Sequence, residues 1–404
     1  MPPPAHDAAG PRSAAFRPAK GIVSCILGGD FVLFSESHQC VYRFDAPSAS
    51  AWLGMSAGEP SASIARRIAD ETECSMEKAG ECISSWLAEW QRFGFLSESR
   101  EEPVEPALKS NDEPACVSAS GYLYRVAETN IAISFPDDRS KHAWDAMAGH
   151  LRREVSGVAE IKLAVEPHEG GYHMSGHSTE GSDFTTPAAV AVNLKEAALH
   201  ALLRRRTDWI ALHSAVLSVG SRSMLLAGSA GRGKTTLAAV LNASGLPAIA
   251  DDVALISARP PAIRGLPFAF AAKPGSWSVL RPWFPDLDEL PEFRRPDGRV
   301  VKYIRPISMA EQASSLAAVV FPQFSAATPL RIREMTKVAG LLALLEEAIN
   351  ANRRLTAEGF LGLSGLVEHA TVIGMEYGDV NAAAGWIKAN LAGLAGVERA
   401  APRL

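Results

Sequence analysis

The residues best suited to chemistry lie in a glycine-rich stretch near the middle of the 404-residue chain. In order they are Gly228, Ser229, Ala230, Gly231, Arg232, Gly233, Lys234, Thr235 and Thr236. Glycines allow successive backbone N–H groups to turn inward around anionic oxygens, and the start of a helix adds partial positive charge there. The pattern G-x-x-x-x-G-K-T therefore predicts a loop that binds the phosphates of a nucleoside triphosphate.

The flanks of this loop have the composition that such a loop requires. Residues 223–227 form an apolar run with the length of a buried strand, and residues 235–241 read as a helix. Lys234 is then expected to bridge the β- and γ-phosphates, and the Thr235 hydroxyl to ligate Mg²⁺. We expect ATP and Mg²⁺ as cofactors, and the sequence leaves the choice between ATP and GTP open.

Two adjacent carboxylates, Asp251 and Asp252, interrupt the apolar segment 248–256, which reads as one strand. Asp251 follows Lys234 by 17 residues, and short connections predict that this strand lies beside the phosphate-loop strand. One carboxylate could accept the proton of an attacking hydroxyl while the other orients Mg²⁺ or water. The alternative is a turn pair on the surface. Burial beside a nucleotide site favours the functional interpretation, because an unpaired carboxylate is costly there.

A histidine, His213, precedes Lys234 by 21 residues, on the strand before the phosphate-loop strand. A lone histidine at such a position is more often a core or turn residue with satisfied hydrogen bonds than a catalytic one. Its place in the chain makes a role in the same site a second interpretation.

His213, the loop and the segment Ala250-Asp251-Asp252 resemble the catalytic core of bacterial HPr kinase/phosphorylase. The resemblance extends to HPr-kinase-like enzymes of peptide biosynthesis clusters, such as lasso-peptide kinases. It implies ATP-dependent transfer of phosphate to a serine or threonine hydroxyl of a precursor peptide or small protein. It further implies Asp252 as general base, Asp251 and His213 as catalytic neighbours, and Thr235 with Asp251 as metal ligands.

The resemblance has one departure and two further candidate residues. Enzymes with both kinase and phosphorylase activity carry a glutamate just before an R-G-[LI]-G stretch, as a second metal ligand. Here Arg264-Gly265-Leu266 follows Ala262 and Ile263, without an acid. This puts the second metal ligand and any reverse reaction in doubt. Arg264 and Lys273, the latter in the stretch FAFAAKPGS, are candidate substrate contacts.

Residues 19–96 read as three strands followed by three helices and resemble the PqqD-like winged-helix module. In peptide-modification clusters that module, a RiPP recognition element, binds the leader of a precursor peptide by adding it as a strand to a sheet edge. The resemblance therefore implies capture of a leader segment. A plain winged helix that packs on the kinase without a ligand is the alternative.

The expected fold class is multi-domain α/β, with a P-loop HPr-kinase-like core preceded by a small α+β winged-helix domain. The segments are a disordered arm 1–18, the PqqD-like domain 19–96, an acidic, proline-containing linker 97–118, a middle α/β segment 119–206 packing on the kinase, and the catalytic domain 207–404. The role of the middle segment is open, as is formation of a homo-oligomer.

Charge and hydropathy bear on the partners. The net charge of −5 gives no electrostatic reason to expect nucleic acid or an anionic membrane. No apolar run approaches the roughly 18 residues of a spanning helix, and the N-terminus lacks a secretory-signal pattern. We expect a cytoplasmic peptide or protein kinase. The alternatives are a small-molecule kinase and a nucleotide-switched peptide-delivery protein without phosphoryl transfer.

Overall fold

The chain divides into two compact units, Met1–Ser110 and Asn111–Leu404, of mixed α/β structure. The computed structural model describes residues 16–97, 121–153, 158–176, 179–206, 209–258, 261–295, 297–310, 312–313, 315–349 and 354–394. Nearly all of the expected linker 97–118 and most of the expected arm 1–18 lie outside the described residues. Within the described part, no helix combines the length and the apolar character needed to cross a membrane.

The first unit has the three strands and three helices expected from the sequence. They are β1 (Ile22–Leu27), β2 (Asp30–Ser35), β3 (Cys40–Phe44), α1 (Ala46–Ser56), α2 (Ser61–Thr72) and α3 (Met76–Arg92). The strands form an antiparallel sheet in the order β1-β2-β3. Helix α1 starts where Asp45 accepts a hydrogen bond from the backbone N–H of Ser48, and α3 starts at a similar cap on Ser75.

The first unit begins earlier than the sequence predicted. The Phe16 ring lies edge-on to Trp52 and Trp90, with centroid distances of 5.1 and 6.1 Å. The N–H of Ala19 donates to the carbonyl of Phe95 at 2.8 Å, so the start and end of the unit are joined. Residues 16–18 therefore belong to this packed unit, inside the stretch 1–18 that composition assigned to the arm.

The second unit opens with the middle segment, which forms a six-stranded sheet and two helices. Its elements are β4 (Tyr122–Val126), β5 (Thr129–Ser134), α4 (Asp138–Ala148), a 3-10 turn (Gly149–Leu151), β6 (Arg152–Arg153), β7 (Ile161–His168), β8 (Gly171–Gly176), β9 (Thr179–Phe184) and α5 (Pro187–Arg205). The strand order is β6-β4-β5-β7-β8-β9. Leu194, Ala198 and Leu202 of α5 join one hydrophobic core with Leu255 and Phe268, so this segment packs on the later part of the unit.

The remaining elements surround the phosphate loop. They are β10 (Trp209–Leu212), β11 (Ser214–Val219), β12 (Arg222–Ala227), α6 (Lys234–Ala243), β13 (Ala248–Ala250), β14 (Ala254–Ala258), β15 (Pro261–Gly265), β16 (Phe270–Ala272), α7 (Pro274–Leu280), a 3-10 turn (Pro285–Asp288), β17 (Phe293–Arg294), β18 (Val300–Ile304), β19 (Gln312–Ala313), β20 (Leu316–Phe324), β21 (Arg331–Glu334), α8 (Lys337–Glu346), β22 (Ala348–Ile349), α9 (Ala357–Glu368), β23 (Thr371–Tyr377), α10 (Val380–Ala389) and α11 (Leu391–Leu394).

Two of the sheets built from these strands carry the site. One has the order β13-β11-β12-β20-β23-β21, in which β12, β20 and β23 are parallel neighbours. The other has the order β19-β15-β14-β10-β22 and its neighbours are antiparallel. The chain passes from the second sheet to the first at His213, between β10 and β11, and returns between β13 and β14 at residues 251–253.

This crossing corrects two expectations about the carboxylate segment. Residues 248–256 do not form one strand, because β13 and β14 belong to different sheets and the two aspartates lie between them. Strand β13 pairs with β11, so β11 separates it from the phosphate-loop strand β12. Both pairings are antiparallel, which makes β13 and β12 run in the same direction. The carboxylates and the loop therefore still meet at one edge of the sheet.

The two sheets are in close contact at Gly265, and this contact is testable. A Cβ atom at Gly265 would lie 2.2 Å from the Ile249 carbonyl oxygen and 2.3 Å from the Ala250 Cβ. We expect Gly265→Ala to lower the free energy of unfolding by about 1–3 kcal/mol, since backbone cannot move aside. The thermal unfolding midpoint should fall by several degrees.

The matched control is the same substitution at Gly385, on the exposed side of α10, where a Cβ would meet no atom within 4 Å. There alanine removes backbone freedom from the unfolded chain, so the midpoint should be unchanged or slightly higher. Equal midpoints for Gly265→Ala and the unaltered protein would contradict the close approach.

Candidate functional site

The phosphate loop connects β12 to α6 through three glycines with positive φ angles. Gly228, Gly231 and Gly233 have φ values of 130°, 87° and 93°, a conformation that side chains rarely adopt. A Cβ on Gly233 would also lie 2.4 Å from the Tyr377 hydroxyl oxygen. The spacing of glycines in the sequence thus corresponds to three points where the backbone turns inward, as a phosphate cradle requires.

Lys234 begins α6 and folds back over the loop. Its ammonium donates hydrogen bonds to the Gly228 carbonyl and, at 3.1 Å, to the Ser229 carbonyl, and the side chain is buried. Burial lowers the pKa of Lys234, while the charges of Glu347, Asp252 and Asp251 oppose that shift. A bound triphosphate could therefore replace the loop carbonyls as the hydrogen-bond partner of this ammonium.

Asp251 lies next to the loop and is almost fully buried, with 2% exposure. The Thr235 side chain is close enough to influence its pKa, and its Oδ2 accepts a hydrogen bond from the Ala271 N–H at 3.4 Å. The other oxygen, Oδ1, has no hydrogen-bond partner among the described residues. Burial and the adjacent charge of Asp252 raise the pKa of Asp251 to about 6. The two residues predicted as metal ligands, Thr235 and Asp251, are therefore together.

These two residues fit Mg²⁺ by the chemistry of their oxygen atoms. Over the described ranges, no group of three or more His, Cys, Asp or Glu side chains is arranged to hold a metal ion. Mg²⁺ is usually held by one or two carboxylates together with water and substrate phosphates, so a complete cage of protein side chains is not required. The unpartnered Oδ1 of Asp251 is the atom that such a cation would satisfy.

Asp252 is in the opposite electrostatic environment. Its Oδ2 lies 2.6 Å from Nζ of Lys195, and its Oδ1 lies 3.1 Å from Nε2 of His213. The charge of Lys195 is the main reason that the pKa of Asp252 falls well below its usual range, with the His213 contact adding to it. The side chain is 38% exposed, so an incoming substrate can reach the carboxylate that stays ionised.

The contacts of Asp252 continue through His213 to a second acid. The Nδ1 atom of His213 lies 3.4 Å from Oε2 of Glu347. The backbone N–H of His213 also donates to the carbonyl of Glu347 at 2.8 Å. Glu347 lies between α8 and β22, and β22 pairs with β10 beside His213. Lys195, Asp252, His213 and Glu347 thus form a continuous chain of polar contacts. The structure thus brings His213 next to Asp252, as the second interpretation of the sequence requires.

Lys195 and Glu347 were not identified from the sequence. Lys195 is 57 residues from its partner Asp252, on a helix of the middle segment whose role was open. Its ammonium also lies 5.3 Å from the centre of the Phe268 ring. Glu347 belongs to no recognisable motif. The sequence offered one signal for Lys195: it is a charged residue on an otherwise apolar face of α5.

The two candidate substrate contacts lie in different surroundings. Nε of Arg264 lies 3.2 Å from Oε2 of Glu128, and the guanidinium lies 5.4 Å from the centre of the Trp209 ring. Arg264 is thus engaged in contacts that hold the middle segment to β15. Lys273 is exposed just before α7, and its charge contributes to lowering the pKa of Lys234. Lys273 is therefore within electrostatic range of the loop.

The raised pKa of Asp251 predicts a pH-dependent stability difference in protein free of nucleotide and metal. Between pH 4 and 6 the folded protein retains a proton that the unfolded chain releases, so stability falls as the pH rises. By pH 8 the loss should reach about 3 kcal/mol. We expect Asp251→Asn to unfold at a higher temperature than the unaltered protein at pH 8, and at an equal temperature at pH 4.

Asp252→Asn is the control for this comparison, measured by thermal unfolding at the same pH values. It should lower the unfolding temperature at pH 8, because it deprives Lys195 of its carboxylate. An Asp251→Asn variant that is less stable than the unaltered protein at pH 8 would contradict the environment described for Asp251.

Comparison with known proteins does not assign the chain to a family. A scan against protein-family models finds no match to the chain, and a search of curated proteins finds no significant match. The geometry of the site is therefore the basis for its function.

Proposed function

We propose that this protein is an ATP- and Mg²⁺-dependent kinase that transfers the γ-phosphate to a serine or threonine hydroxyl of a peptide or small protein. One observation carries the proposal. Two adjacent carboxylates beside a phosphate loop have their pKa values moved in opposite directions, Asp251 up and Asp252 down. Such a separation is typical of paired acids with different roles in catalysis.

Binding of the triphosphate uses the loop and the start of α6. Backbone N–H groups at the three positive-φ glycines, together with Lys234, would surround the phosphate oxygens. Thr235 and Asp251 would hold Mg²⁺, which neutralises charge on the phosphates when it is bound. Because Asp251 is buried and its Oδ1 lacks a partner, its position suits a cation better than solvent.

Asp252 is the residue best placed to accept the proton of the substrate. The hydroxyl oxygen would form a bond to the γ-phosphorus while the bond from that phosphorus to the bridging oxygen of ADP breaks, and the hydroxyl proton would move to the carboxylate of Asp252. His213 and Lys195 orient the two oxygens of this carboxylate. Its low pKa suits phosphoryl transfer through a loose transition state, in which positioning matters more than base strength.

The resemblance to HPr-kinase-like enzymes supports the same assignment. His213 and the two aspartates approach each other only because the chain crosses twice between sheets. Separately, the first unit has three antiparallel strands followed by three helices, which is consistent with a PqqD-like module. Within its described residues both β1 and β3 are edge strands, to which a peptide leader could add. Tethering would raise the local concentration of the substrate.

Two substitutions test the chemistry. Lys234→Ala should abolish binding of MgATP and turnover. Asp252→Asn should retain MgATP binding but lower phosphoryl transfer by about 100-fold or more, because the proton acceptor is lost. Binding would be measured by calorimetry, and transfer by the mass increase of short peptides encoded in neighbouring reading frames.

The control for these variants is thermal unfolding, which separates loss of chemistry from loss of the fold. Transfer at the unaltered rate by folded Asp252→Asn would show that another group accepts the proton. Labelled γ-phosphate on a peptide would exclude a delivery protein that binds ATP without transfer.

A small-molecule kinase is the second candidate, because the described site residues all belong to Asn111–Leu404. A variant that lacks residues 1–100 distinguishes the two. For a tethered peptide substrate, the deletion should raise KM by about 100-fold while kcat at saturation changes little. Unchanged steady-state kinetics with the deletion would favour a small-molecule substrate.

A further inference from the structure

An exposed aromatic ring lies against the phosphate loop and has no role in the chemistry described so far. Phe324 ends β20 and is 49% exposed, and the centroid of its ring lies 5.8 Å from that of Tyr377 in an edge-to-face arrangement. Its backbone N–H donates to the carbonyl of Arg232, inside the loop, at 3.1 Å. A large apolar side chain is thus held in solvent beside a loop that must bind a polar ligand.

Packing of the fold does not account for this ring. Tyr377, its partner in the neighbouring strand, is the buried member of the pair and donates to the Gly233 carbonyl at 3.3 Å. Tyr377 therefore supports the loop from within the core. Phe324 packs edge-to-face with this buried ring and is itself 49% exposed.

The order of strands places Phe324 on the side of the loop away from the carboxylates. The sheet order β13-β11-β12-β20 puts Asp251 and Asp252, which follow β13, on one side of the loop strand β12. Strand β20 is the parallel neighbour of β12 on the other side, about 4.8 Å away. The carboxylates and Phe324 therefore flank the loop from opposite directions.

A bound nucleoside triphosphate would extend across the loop, from the side of the carboxylates to the side of Phe324. Its terminal phosphate belongs near Thr235 and Asp251, because the reacting group and the metal ligands are there. With the terminal phosphate there, the α-phosphate and the nucleoside would extend toward the opposite side of the loop strand, where β20 and β23 lie. There Phe324 offers a 49% exposed aromatic side chain on a residue whose backbone N–H is hydrogen-bonded to the loop.

We propose that Phe324 is the stacking platform for the base of the nucleotide. This inference rests on the proposed function, since it assumes that a triphosphate occupies the loop. Stacking uses the face of the base, which adenine and guanine share, so Phe324 supplies affinity for a nucleoside without choosing between ATP and GTP. The phosphate subsite and the base subsite then lie on separate elements, α6 and β20.

The test compares a ligand that has a base with one that lacks it. Calorimetry would measure the Kd of MgATP and of magnesium tripolyphosphate for the unaltered protein, Phe324→Ala, Phe324→Trp and Lys234→Ala. We expect Phe324→Ala to raise the Kd for ATP about 5- to 100-fold and to leave the Kd for tripolyphosphate within about twofold. Phe324→Trp should retain ATP affinity, and Lys234→Ala should lose both ligands.

Ile307→Ala is the matched control. Ile307 is 63% exposed, and its N–H donates to Asn242 near the opposite end of α6 from the loop. Loss of an exposed apolar side chain there should change neither Kd.

The outcomes separate this inference from the proposed function. If the unaltered protein binds neither ligand, the phosphate loop itself is wrongly assigned and both proposals fail. If it binds both, but Phe324→Ala alters the two Kd values equally or not at all, the base does not stack on Phe324 and the kinase proposal stands.

Discussion

The contact between Asp252 and Lys195 is the interaction on which the rest of the site depends. Without the ammonium 2.6 Å away, two adjacent carboxylates would repel each other in a partly buried place. With it, Asp252 holds the negative charge, and Asp251 is left as a buried carboxyl of raised pKa beside Thr235. The ammonium beside Asp252 and the deeper burial of Asp251 together give two neighbouring aspartates different chemical properties.

The position of Lys195 shows how the middle segment contributes to the same unit as the glycine-rich loop. Helix α5 is fixed by a continuous apolar core that includes Leu194 and Ala198 on the helix and Leu255 and Phe268 beyond the loop. Leu194 and Ala198 flank Lys195 along the helix, so their packing in the core fixes the position of the ammonium. A lysine on a surface loop would have a less well-defined position, because loops are more mobile than packed helices.

The crossing of the chain between two sheets brings the other polar groups to this point. His213 lies between β10 and β11, the aspartates lie between β13 and β14, and Glu347 precedes β22. Backbone that leaves one sheet for another can take conformations outside a ladder, as the φ of +75° at Asp252 illustrates. Polar side chains therefore gather where strands end.

The sequence by itself determined the glycine-rich loop between β12 and α6, since its three positive-φ glycines and the lysine that begins α6 are adjacent residues with local requirements. It also determined the strands and helices of the first unit, whose patterns and caps are local. Tertiary structure decided that β11 separates the carboxylate strand from the loop strand, and that Lys195 and Glu347 join Asp252 and His213. Strand order and contacts across 57 residues depend on how sheets pack, and no periodicity along the chain encodes that packing.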